Sequence, residues 1–161
     1  MSTQASQTKE TSEVLINSIH QGIIESFSQL FERVRFRGYD TVNESFEGIA
    51  VIISFVGDLP CSLIMTFAPE TAVAMTCHFA GFEISYESED MIDATGELVN
   101  IAAGPISASL VAAGIQAHMS LPTVLCGTGI EMMLPGHSPI TRLHYACPQG
   151  SFHAKILTPM P

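Results

Sequence analysis

Residues 46–57, FEGIAVIISFVG, and 61–68, CSLIMTFA, are two runs of β-branched, aromatic and other apolar side chains separated by GDLP. Turn residues between two such runs specify an antiparallel hairpin. This pair constrains the fold more than any other stretch, because so much apolar strand has to be covered by other elements.

The covering elements are legible as helices. In SEVLINSIHQGIIESFSQLFERV, residues 12–34, the positions Val14/Leu15, Ile19, Ile23, Phe27, Leu30/Phe31 and Val34 recur every three or four residues. That is the period of an amphipathic helix, with Ser12 placed as its N-cap. Pro69 opens a short helix, PETAVAMTCHFA, which Gly81 and Phe82 close. Ser88 caps a long helix over about 89–114, with Glu89 and Asp90 complementing the dipole of its first turn and Gly114 ending it. Beyond Pro122 come four strand-like runs, TVLCG, GIEMML, ITRLHYAC and FHAKILT, the last two flanking the turn PQGS. The order predicts an α+β domain with helices packed on one face of a largely antiparallel sheet. Residues 1–11 read as a flexible polar N-terminal tail, and 12–161 as a single domain.

Composition excludes several function classes. The chain has 16 acidic residues against six Lys and Arg, a net charge of -10, which argues against nucleic acid and anionic membranes as partners. The longest weakly polar run, IAAGPISASLVAAGI, is shorter than the ~20 apolar residues a membrane span needs. MSTQASQTKETSE lacks an apolar signal region, so a cytoplasmic protein is expected. Cys61, Cys77, Cys126 and Cys147 form no CxxC pair and read as buried, reduced thiols. His144 and His153 could face each other across a hairpin, but no third ligand has metal-site spacing.

The long helix carries an unusual pair. At 100° per residue, Ile92, Gly96, Val99, Ala103, Ile106, Leu110 and Ala113 form an apolar stripe, while Asp93, Glu97, Asn100, Gly104 and Ser107 form a narrow opposing one. Glu97 and Asn100 thus project together, their Cβ atoms ~5–6 Å apart. No Lys or Arg occurs between residues 38 and 141, so Glu97 has no cation nearby in sequence. Asp93, four residues earlier, repels it. A carboxylate can grip a cation on a partner, and a neutral amide can orient a water without taking its proton. Hydrolysis of an acyl phosphate, whose transition state is loose, needs chiefly such positioning. The other reading of the trio is a solvated helix face.

The pattern D-x-x-G-E-x-x-N, formed by Asp93, Gly96, Glu97 and Asn100 and followed by IAAG, resembles the CheX-like and CheC phosphatase family of bacterial chemotaxis. The likeness extends through GIAVIISFVGDLPCSLIMTFAPETAVAMTCHFAGFE before the helix and LPTVLCGTGIEM after it, covering most of 12–158. The resemblance implies a CheC/CheX-like fold and a phosphatase for a phosphorylated receiver domain such as phospho-CheY. It implies that Glu97 docks to the receiver's active-site Lys and that Asn100 aligns the attacking water. Asp93, Gly96 and Gly104 would line the docking face. The receiver would supply the Mg²⁺, and this chain would bind no cofactor. A single motif points to the CheX-like branch, whose members are homodimers. Pro105 departs from the pattern: it removes a hydrogen bond to the Ile101 carbonyl, which predicts either a kink or break one turn past Asn100 or a tolerated bend in a helix held by packing. A non-enzymatic receiver-binding or motor-switch-like module would leave much the same trace. A stand-alone phosphate-ester hydrolase fits less well, since no Gly-rich phosphate loop or catalytic Cys motif is present.

Overall fold

A computed structural model describes residues 2–40, 45–131 and 140–158. The elements are α1 (Ser2–Leu30), β1 (Arg35–Tyr39), β2 (Phe46–Gly57), β3 (Cys61–Phe67), α2 (Pro69–Ala80), α3 (Glu89–Ala112), β4 (Ala117–Met119), β5 (Thr123–Ile130), β6 (Ile140–Cys147) and β7 (Gly150–Leu157). The predicted architecture holds. The strands form one antiparallel sheet in the order β1-β6-β7-β3-β2-β4, with β5 also pairing β2. The hairpin of β2 and β3 sits inside the sheet, in a register that places Ile49 opposite Phe67, Val51 opposite Met65, Ile53 opposite Leu63 and Phe55 opposite Cys61. These eight side chains are buried on one face. Tyr145, Phe152, Ala154 and Ile156 extend that face through β6 and β7.

Three helices cover it. Leu15, Ile19, Ile23 and Phe27 of α1 are buried at the predicted spacing. The central helix is α3, flanked by α1 and α2. Ser88 caps it, its Oγ accepting from the Met91 N–H at 3.2 Å. At the other end Gly114 has φ 80°, the Gly114 N–H donates to the Val111 carbonyl, and the Ile115 N–H reaches back to the Leu110 carbonyl. This left-handed cap with its paired bonds is why a glycine stands there.

Three expectations need correction, and Pro105 resolves between its two readings. The first helix does not begin at Ser12: the backbone is helical from Ser2, so the segment read as a loose tail continues α1. Ala, Gln, Lys and Glu are good helix formers, and no Gly or Pro interrupts them before Gly22. The stretches TVLCG and GIEMML are not two strands, because β5 runs from Thr123 to Ile130 without a break; residues 132–134 of the second run lie outside the described residues. Of the two readings of Pro105, the helix follows the tolerated one, since it continues unbroken to Ala112. Its neighbour Ile106 is fully buried, and packing holds the turn that lost a hydrogen bond. The cysteines are all free, but Cys126 is exposed.

Two histidines set a pH dependence. His20 Nδ1 lies 2.9 Å from the hydroxyl of buried Tyr145, and burial lowers the His20 pKa. Burial lowers His153 as well, and His144 adds to it. Both are easier to protonate in the unfolded chain, so the unfolded state binds more protons as pH falls through ~6.5. Stability is therefore complete above that pH and declines below it, until the depressed folded values are passed. Thermal unfolding between about pH 7.5 and about pH 5.5 should show a falling midpoint, and His20→Gln should reduce the fall. A flat profile in the wild type contradicts this.

Candidate functional site

The stripe singled out in the sequence lies on the outer side of α3. Asp93, Glu97 and Gly104 are exposed and Asn100 is half-buried. Opposite them Leu98, Val99, Ala102, Ala103, Ile106 and Leu110 are at most 1% exposed. The helix is thus held by one face and presents the other. Among the described residues, neither Glu97 nor Asn100 makes a side-chain hydrogen bond or ion pair within the chain. The carboxylate keeps its acceptor capacity, and the amide keeps both a donor and an acceptor end.

The surroundings fix where the pair points. Val124 of β5 is paired with Val51 of β2, and its side chain rises against α3. A Cβ at Gly96 would lie 3.2 Å from Val124 Cγ2 and 3.9 Å from Pro122 Cγ. Further along, Ser107 Oγ is 3.4 Å from the Ala117 carbonyl of β4. The edge segments β4 and β5 therefore bank up against one side of the stripe. Asn100 lies next to that side, just past Gly96 and Ser107 in helical angle, and Glu97 lies farther out.

Gly96 is a correction. It was grouped with the docking residues, yet it is buried beneath Val124 and Pro122. Its lack of a side chain lets β5 approach, while the surface belongs to its neighbours. Gly104 is different. It is exposed, and a Cβ there would meet nothing within 4 Å, so packing inside this chain does not require a glycine.

Electrostatically the N-terminal half of α3 is acidic, with Glu89, Asp90, Asp93 and Glu97 all exposed. The cations Arg35, Arg37, Arg142 and Lys155 belong to β1, β6 and β7 at the other end of the sheet, and among the described side chains none forms an ion pair with Glu97. Among the described residues no three His, Cys, Asp or Glu side chains gather as a metal site, and no helix is long and apolar enough to cross a membrane. His144 and His153 do meet, their rings stacked 4.5 Å apart. Sequence reading missed the approach of Pro122 and Val124 to Gly96. The Pro in LPTVLC marks the strand entry, but only the fold brings it under the helix.

Comparison with known proteins bears on this site. The family model of the chemotaxis phosphatase CheX matches residues 49–145, more than half of the chain, and that span contains all of α3. The CheY-P phosphatase CheX of Thermotoga maritima is 29% identical over 85 residues, 52% of this chain and 55% of that protein. The chain therefore spans about half the length of this curated relative. The crystal structure of a chemotaxis protein CheX from Desulfovibrio desulfuricans superposes with a TM-score of 0.79 at 19% identity, covering 90% of this chain and 99% of the other. A chain of the CheX–CheY–BeF3–Mg²⁺ complex from Borrelia burgdorferi gives 0.76 at 19% identity, covering 90% and 97%. At these identities the two structures establish a shared fold.

Proposed function

Since this chain belongs to the chemotaxis phosphatase CheX family, we propose that it dephosphorylates the aspartyl phosphate of a response-regulator receiver domain. The observation that carries the reading is the pair on α3: an exposed carboxylate and a half-buried amide, neither engaged by a described residue of its own chain. In this reading Asn100 enters the receiver's active centre and holds a water through its carbonyl and amino ends. Glu97 meets a receiver Lys. Asp93 adds negative charge beside it, and the missing side chain at Gly104 lets the partner come close. The amide does not titrate, so it orients the nucleophile without competing for its proton. The relative from Thermotoga maritima is named a CheY-P phosphatase, and the Borrelia burgdorferi structure holds CheX with CheY, BeF3 and Mg²⁺. Both support a receiver as substrate; in this reading the Mg²⁺ belongs to the receiver and this chain binds no cofactor. The same reading carries a homodimer in the cytoplasm, checked by solution mass.

Phosphate loss from a phosphorylated cognate receiver with Mg²⁺ should be faster with this protein than without it. Binding without faster loss would make the chain an interaction module instead. Glu97→Lys should weaken receiver binding by ~1–3 kcal/mol, because it puts like charges together at the contact. A titration with unchanged affinity would reject the docking role of Glu97.

A further inference from the structure

The face of the sheet turned away from the helices carries a second concentration of charge. On β6 and β7 the buried side chains Leu143, Tyr145, Phe152, Ala154 and Ile156 point to the core. The alternate positions Arg142, His144, His153 and Lys155 therefore point the other way. The register sets Arg142 directly opposite Lys155 and His144 directly opposite His153. Like charges facing each other across strands are destabilising. Here two of the six Lys and Arg in a chain of net charge -10 are placed so. The strain is visible in Lys155, whose pKa is lowered by burial and then by Arg142, with Asp40 opposing. A cavity of about 140 Å³ opens beside Arg142, His153 and Lys155, with Ser45 and Thr66 adding hydroxyls, Asp40 one carboxylate and Phe46 an apolar ring to its wall. Asp40 Oδ2 lies 3.5 Å from His153 Nε2.

We propose that this cavity, lined by Asp40, Ser45, Thr66, Arg142, His153 and Lys155, binds a small tetrahedral oxyanion of the phosphate class. A guanidinium fork, an ammonium, an imidazole and two hydroxyls offer donors from several directions. A halide has no directional acceptors and a carboxylate only two oxygens, whereas a phosphate has four oxygens and a negative charge drawn to Arg142 and Lys155 and opposed by Asp40. The site is on the opposite face of the sheet from α3, so it is separate from Glu97 and Asn100 and does not depend on their role.

Titration calorimetry with inorganic phosphate in a constant chloride background tests this. Saturable binding to one site is expected. Lys155→Gln and Arg142→Gln should each weaken it by at least about tenfold, since each removes a charged donor. Asp40→Asn should tighten it several-fold, a gain that a misfolded variant could not mimic. Asn100→Ala should leave it unchanged. No saturable heat in the wild type, equal affinity in wild type and Lys155→Gln, or acetate binding as well as phosphate would overturn the proposal.

Discussion

Asn100→Ala should reduce the acceleration of receiver dephosphorylation on the order of 10²-fold, the usual cost of losing one positioned donor at a reacting centre. The size follows from the amide's environment. The side chain is half-buried and, among described residues, has no bond to its own chain, so truncating it leaves no broken internal contact. Alanine is also the better helix former, and α3 is anchored by its opposite face. The variant should therefore be at least as stable as the wild type and should bind the receiver almost as well. Asn100→Asp supplies a second check. It keeps the shape but replaces the donor end with a charge, which repels the phosphoryl group, and should be at least as damaging. Activity lost together with stability would point to a structural role instead.

The second large effect concerns how α3 is held. Gly22 of α1 is a point where the two helices approach closely: a Cβ there would lie 2.9 Å from the backbone nitrogen of Ile106 and 3.0 Å from its Cα. A side chain can rotate away, but these are backbone atoms, so one helix has to move. Gly22→Ala would gain ~1 kcal/mol in helix propensity if the site were open. Overpacking costs ~1–3 kcal/mol in ordinary cores, and the backbone contact puts this site at the upper end. The expected net result is a loss of about 1–2 kcal/mol and a lower thermal midpoint by several degrees. A midpoint equal to or above that of the wild type would show that α1 and α3 separate freely.

The same contact explains part of what sequence reading could not see. Local signals were faithful: Ser88 caps α3, Gly114 ends it in a left-handed turn, and the hairpin pairs as its composition requires. Pro105 leaves two readings open in the sequence because its cost is local while its compensation, Ile106 packed on Gly22, comes from 84 positions away in the chain. Strand β1, RFRGY, is mostly exposed at a sheet edge and shows no clear apolar alternation. Strand β4 has three residues, too few for any period. Gly96 is instructive in another way. Helical periodicity put it on the apolar stripe, the motif put it in the docking set, and its burial under Val124 agrees with the periodicity. The basic cavity had a signal too, since the PQGS turn sets the register that pairs Arg142 with Lys155, but the meaning of that pairing emerges only once both are seen to face away from the core.

The most direct measurement is the first-order decay of a phosphorylated receiver in Mg²⁺, followed with this protein at saturating concentration so that affinity no longer matters. Wild type should shorten the decay well below the spontaneous lifetime, and Asn100→Ala should return it most of the way. Identical decays for the two proteins would contradict the account.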